Sequence, residues 1–263
     1  MTPALDQRLQ TAKEIIKDAG KLALDMFERY RDNDDFISSK GPQDFVTLAD
    51  KAVEKEIYTR LLAAFPEDGF LGEESGLHGN SNTVWVVDPI DGTTNFMRGF
   101  KNWAISIALV EHDEILLGLI YAPALDEFYC AHKDGEATLN DQVLRVSNTS
   151  DMTMSLINLG RSKRTSLETH FEKIAAVSNN GGDYRRIGAA TLGLCDVAAA
   201  RADGYFEAHI NPWDIMAGAL IVSSAGGKIT MPPVAEYMKN GGPFLATNEH
   251  LASELSALYP TDN

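Results

Sequence analysis

Residues 83–96 read TVWVVDPIDGTTNF, and this stretch restricts the fold more than any other part of the chain. Val84, Trp85, Val86 and Val87 form an apolar run that favours a buried strand. The run leads straight into Asp88 and Asp91. Buried carboxylates this close repel, and one is driven towards protonation unless a cation compensates. Pro89 is expected to fix a turn and stop the strand, so that both aspartates and the Ile90 carbonyl face one space. Two carboxylates and a carbonyl are hard oxygen ligands of the kind Mg2+ takes. Gly92-Thr93-Thr94-Asn95 can open a helix, whose free amides and positive dipole end suit a phosphate.

Three further segments put carboxylates at the ends of regular elements: KGPQDFVTLAD at 40–50, GEES at 72–75 and NPWD at 211–214. Each has a plain structural explanation. Asp50 fits a capping box headed by Thr47, and Asp214 supports a helix start with Asn211 as N-cap and Pro212 at N1. Glu73 and Glu74 read equally as a solvated turn. Joined to the 88–95 stretch, however, the four segments describe metal ligands beside a phosphate cradle. That combination suits hydrolysis of phosphate esters: two divalent ions polarise the phosphoryl group, lower the pKa of a water and neutralise the leaving alkoxide.

The remaining patterning is consistent with one layered molecule. Leu5, Leu9, Ala12, Ile16, Ala19, Ala23, Met26 and Tyr30 form the stripe of a first helix, and Val53, Ile57, Leu61 and Phe65 that of a second, ending before Pro66. Gly41-Pro42 marks a turn between them, which puts Lys40 and Asp44 on a loop. Strand-like runs WAISIALV and EILLGLIYAP flank a hairpin turn at 111–113, and EFYCAH and ATLNDQVLRV extend the meander with a turn at Asn140-Asp141. The polar stretch near 150 suggests a joint. Beyond it strands near 155, at GYFEAHI, GKIT and PFLATN alternate with helices at 167–178, 188–201, 213–225 and 248–258. The expected class is α+β (mixed α/β), with segments 1–150 and 151–263 as two halves of one functional unit.

Composition excludes some roles. The chain of 263 residues has a net charge of −15, which argues against a nucleic-acid or anionic-lipid surface. Cys130 and Cys195 sit in apolar contexts without metal-ligand spacing, as in a reduced compartment. No apolar run suits a secretory signal or a membrane span, so a cytoplasmic protein with no membrane association is expected.

DPIDGTTNF, WDIMAGALIVSSAGG, GEES and DFVTLAD together resemble the inositol monophosphatase family of magnesium-dependent, lithium-sensitive phosphatases, over nearly the whole chain. The resemblance implies an αβαβα sandwich of the sugar-phosphatase type and two to three Mg2+ ions. A first ion would be bound by Glu73, Asp88 and the Ile90 carbonyl, a second by Asp88, Asp91 and Asp214, and a weaker third near Glu73. Gly92 and Thr93 amides would hold phosphate. Thr93, hydrogen-bonded to Asp50, would orient and deprotonate the attacking water together with Glu73. Lys40 and Asp44 would lie on a closing loop, with Glu74 behind the ligands. Asp91, Ala190 and Glu207 would face the substrate alcohol.

The implied reaction is release of phosphate from inositol 1-phosphate by direct attack of a metal-activated water, in a homodimer acting on a small phosphorylated alcohol. Two departures alter the rim: NPWD replaces the usual His-Cys before Trp-Asp, and the Lys40 loop is one residue shorter. DGTTN differs from the DGTK of nucleotide-bisphosphate phosphatases. That difference favours an inositol-phosphate-like substrate. The KGPQD loop, however, also resembles that of histidinol-phosphate phosphatases, so histidinol phosphate stays an alternative substrate, and a non-catalytic protein-binding role a second alternative. His209, between Glu207 and Asp214, lies at the expected rim. Arg185 and Arg186 either approach the substrate or a subunit interface, or form a solvated pair, and Trp213 is expected to anchor the Asp214 helix.

Overall fold

The computed structural model describes residues 2–30, 37–41 and 44–259; of residues 30, 37–41 and 44–47 it describes the backbone alone. The first helix, α1 (Pro3–Tyr30), buries the expected stripe from Leu9 to Ala23 and adds Ile15 and Phe27. It packs beside α2 (Leu48–Ala64), which buries Val53, Ile57 and Leu61. Between them the expected loop is instead an antiparallel hairpin of β1 (Ile37–Gly41) and β2 (Asp44–Thr47). Lys40 and Asp44 thus flank a hairpin turn; their side chains, like that of Thr47, lie outside the described residues.

The two helices cover one face of an eight-stranded sheet made of β3 (Gly69–Gly72), β4 (Gly76–His78), β5 (Thr83–Asp91), β6 (Ala104–Glu111), β7 (Glu114–Ala122), β8 (Glu127–His132), β9 (Thr138–Leu139) and β10 (Gln142–Val143). Their order is β10-β9-β8-β7-β6-β5-β3-β4, antiparallel except for β3 beside β5. β5 does not stop at Pro89. It runs to Asp91 through a bulge in its pairing with β6, where a proline's missing N–H interrupts no ladder bond. The bulge does the work expected of a turn, re-aiming the side chains after Asp88. Burial on both faces explains the unbroken apolar run in β5: Trp85 and Val87 face α1 and α2, Val86 the opposite layer.

That opposite layer contains α5 (Ala190–Ala198) and α6 (Pro212–Ser224), sandwiched against a five-stranded sheet. Its strands are β11 (Leu156–Leu159), β12 (Asp183–Arg185), β13 (Gly204–Ile210), β14 (Lys228–Thr230) and β15 (Gly242–Thr247), in the order β12-β11-β13-β15-β14. α6 lies so close to the first sheet that a Cβ on Gly118 would stand 2.5 Å from the Ala217 carbonyl oxygen. Outside the second sheet, α4 (Leu167–Asn179) and α8 (Ala252–Leu258) close a third core around Phe206 and Tyr259. Two short helices, α3 (Thr93–Met97) and α7 (Val234–Asn240), complete the chain.

The architecture is the mixed αβαβα sandwich expected. α5 is shorter than expected because Gly188 bends at φ 82° and Ala189 is extended where the chain lines the cavity, and Ala200 leaves the helix at φ 57°. The strands β3 and β4 and helix α7 are too short to show a periodic pattern.

Candidate active site

Asp88 and Asp91 end β5 on either side of the bulge, and Asp214 enters from the first turn of α6. Each of the three carboxylates offers an oxygen within 4.8 Å of the others. Among the described residues no lysine, arginine or histidine forms an ion pair with any of them. Their acidity reflects this. Burial, then the charges of Glu73, Asp91 and Asp214, pushes Asp88 well above the ordinary carboxylate range. Asp214 is raised for the same reasons, burial first and Asp91 next. Burial lifts Asp91 to about 6, against the pull of donors from Thr191, Ala190 and Gly92. A buried, uncompensated set of carboxylate oxygens is the donor chemistry that a hard divalent cation satisfies, so the residues fit Mg2+.

The supports are local. Ile90 N–H donates to Asp88 Oδ1 at 3.0 Å, and Asn211 N–H to Asp214 Oδ2 at 3.2 Å. Asn211 is the N-cap of α6 and Pro212 opens its first turn, so Asp214 serves the helix start and the acidic cluster at once. Glu73 follows β3, parallel to β5, with its N–H donating to the Val87 carbonyl at 3.2 Å. Its side chain stands close enough to Asp88 to raise that carboxyl's pKa.

Gly92 adopts φ 89°, and a Cβ there would lie 2.9 Å from the Asn102 carbonyl oxygen, so the sharp turn into α3 requires glycine. Thr93 Oγ1 shares its proton between Asp50 Oδ1 at 3.3 Å and the Ile90 carbonyl at 3.2 Å. Asp50, 1% exposed, comes from the first turn of α2.

A cavity of about 440 Å³ opens from Asp91 and Asp214 and is bounded by Ala190, Tyr205, Glu207 and His209. Gly92 and Thr93 are not part of its lining. Glu207 is raised to about 7, chiefly by burial, and its Oε2 accepts from Tyr205 Oη at 2.7 Å. His209 meets Arg164 through Nε2; burial and then Arg164 lower its pKa. The two arginines left open by the sequence separate: Arg185 pairs with Asp183 at 2.7 Å on the surface, while Arg186 lines the cavity. Trp213 packs against the central core as expected, with its Nε1 buried and unpartnered.

Three supporting residues had escaped the sequence reading. Thr191 donates to Asp91 Oδ2 from its N–H at 2.7 Å and from Oγ1, and no one-dimensional signal joins residues a hundred apart. Glu54, 4% exposed, accepts Glu74 N–H at 2.8 Å; its signal was its place one helical turn after Asp50. Tyr205 shares the strand face of Glu207, two residues on.

A model of the inositol monophosphatase family matches residues 4–259. A Xylella fastidiosa protein named Nus factor SuhB is 40% identical over 195 residues, covering 73% of this chain and 71% of its own. An inositol monophosphatase of Dictyostelium discoideum is 36% identical over 98% of both chains. The crystal structure of an extragenic suppressor protein suhB from Bartonella henselae superposes with a TM-score of 0.88 at 33% identity, covering 97% of this chain and 98% of that one. With the motifs, the layered fold and these likenesses in agreement, the chain belongs to the inositol monophosphatase family.

Proposed function

We propose that the protein is a Mg2+-dependent phosphoric monoester hydrolase acting on a small phosphorylated alcohol of the inositol 1-phosphate type. The observation that carries this reading is the convergence of the buried Asp88 and Asp91 with the half-buried Asp214, with no cationic partner among the described residues. In this reading Glu73, Asp88, the Ile90 carbonyl, Asp91 and Asp214 hold two to three ions, and segments 1–150 and 151–263 act as one unit. When bound, the ions supply Lewis-acid polarisation of the phosphoryl oxygens and acidify a water. Gly92 and Thr93 hold the phosphoryl group. The Thr93 hydroxyl donates towards Asp50, which leaves its lone pairs to accept from the attacking water and orient it. Glu73 takes up the water's proton as the oxygen–phosphorus bond forms and the bond to the alcohol oxygen breaks. The alkoxide takes a proton from solvent water and leaves as the alcohol, and Glu73 returns its proton to the hydroxide so formed. Glu207, held by Tyr205, contacts the alcohol hydroxyls.

The test is phosphate release, with and without a chelator, from inositol 1-phosphate, histidinol phosphate, fructose 1,6-bisphosphate, NADP and adenosine 3′,5′-bisphosphate. Chelator-sensitive turnover of inositol 1-phosphate is expected. No turnover of any of them would overturn the reading. The name of the Xylella relative favours a second reading, a protein-binding role, tested by pull-down with the Asp91→Asn variant. Light scattering checks the expected homodimer.

A further inference from the structure

The cavity beyond the acidic cluster has a wall of the opposite charge. Arg161 and Arg164, from the segment after β11, line it together with Arg186, which precedes α5. Among the described residues none of the three pairs with a carboxylate, although the chain carries an excess of acid. Of the other arginines whose side chains are described, Arg8, Arg29, Arg60, Arg145, Arg185 and Arg201 each hold an Asp or Glu within 3.0 Å, and Arg98 holds none among the described residues. Arg161 Nε is moreover buried with no hydrogen-bond partner among the described residues, a donor that costs free energy until an acceptor reaches it. Arg164 is steadied by the ring nitrogen of His209, which must be unprotonated to accept from a guanidinium. The positive field also reaches His170, whose pKa falls through burial and then through Arg161 and Arg186. Glu207 faces the same cavity and feels the charges of both Asp91 and Arg186, but it forms no ion pair with an arginine among the described residues, and its Oε2 is engaged by the Tyr205 hydroxyl.

The acidic end of the cavity, once its cations are bound, takes the phosphoryl group that is cleaved. An unpaired arginine wall on the same cavity has no counterpart in a substrate with a single anion. We propose that this wall is a second anion subsite, and that the preferred substrate is a polyol or sugar carrying a second phosphate, held by Arg161, Arg164 and Arg186. The planar guanidinium forks suit the oxygens of a phosphate, and the half-buried position of Arg161 strengthens its bond, while Arg164 and Arg186 meet the ligand from the exposed side. The inference rests on the phosphatase reading and refines its alcohol.

The test compares matched substrates: inositol 1-phosphate against inositol bisphosphates with the second phosphate at ring positions 3, 4 or 5, and fructose 1-phosphate against fructose 1,6-bisphosphate. At least one bisphosphate is expected to exceed its monophosphate about tenfold or more in kcat/KM, mainly through KM. In the Arg161→Gln/Arg164→Gln double variant that ratio should fall about 10- to 100-fold, the loss expected for charge-assisted hydrogen bonds. Arg145→Gln, on the surface, controls for net charge and should leave the ratio unchanged. If the monophosphates are hydrolysed as well as every bisphosphate, or if the double variant keeps the wild-type ratio, the subsite is refuted and the phosphatase reading stands. If no phosphate ester is hydrolysed, both fall.

Discussion

Replacing Asp91 by Asn separates the cost of the acidic cluster from its use. Asp91 is buried, and its carboxyl rises from 3.8 to about 6 on folding. The sign follows directly. Below pH 3.8 the group is protonated in both states and costs nothing; between 3.8 and 6 the unfolded chain ionises first; above 6 the full penalty opposes folding. Two pH units correspond to about 3 kcal/mol. Asparagine removes this penalty and keeps an oxygen for Thr191 N–H and Oγ1. It loses one acceptor for the Ala190 and Gly92 amides, worth about 1 kcal/mol. The metal-free variant should therefore be more stable than wild type by about 2 kcal/mol at pH 8, or roughly 4–8 °C in Tm. About half of the ionisation penalty should remain at pH 5. Thermal unfolding in chelator, at both pH values, measures it. Adding Mg2+ should then raise the wild-type Tm and leave the variant nearly unmoved, with turnover abolished. A variant less stable than wild type in chelator at pH 8, or one whose Tm and turnover still respond fully to Mg2+, would refute the assignment.

Three further perturbations probe the supports. Thr191→Val removes the hydroxyl donor to Asp91 and keeps the backbone N–H donor; it should destabilise the metal-free protein by about 1–2 kcal/mol at pH 8 and weaken Mg2+ binding, read by titration calorimetry. Glu207→Gln should raise stability at pH 8 by about 3 kcal/mol, because the wild-type carboxyl climbs from 4.5 to about 7; the gain should vanish below pH 4.5, and an unfolding series across pH shows whether it does. Gly92→Ala meets both a left-handed φ and the Asn102 carbonyl. We expect a loss of about 1–3 kcal/mol by chemical denaturation, with phosphate release reduced by more than the fraction unfolded.

The layers were legible because they rest on periodicity. A 3.6-residue stripe in α1 and α2 and unbroken apolar runs in β5 to β7 follow from which faces must be buried, and neighbouring residues carry that information. The hairpin at Lys40 and Asp44 and the passage of β5 through Pro89 were not. Both depend on where a partner strand stands, and Pro89 is tolerated only because the β6 register slips there.

The same division runs through the candidate site. Asp88, Ile90, Asp91 and Gly92 are contiguous, so a costly pair of charges beside a glycine turn declares itself in one line of sequence. Asp214 and Asp50 were readable as helix-start residues, since capping is local. What local sequence cannot contain is convergence. Only the packing of α6 and α5 against the first sheet brings Asp214 to Asp88 and sets Thr191 on Asp91. Likewise, only the tertiary structure distinguishes Arg186, lining a cavity with Arg161 and Arg164, from its neighbour Arg185, paired on the surface with Asp183. Adjacent residues of identical chemistry, both exposed, diverge because the backbone directs one to the cavity and the other to Asp183.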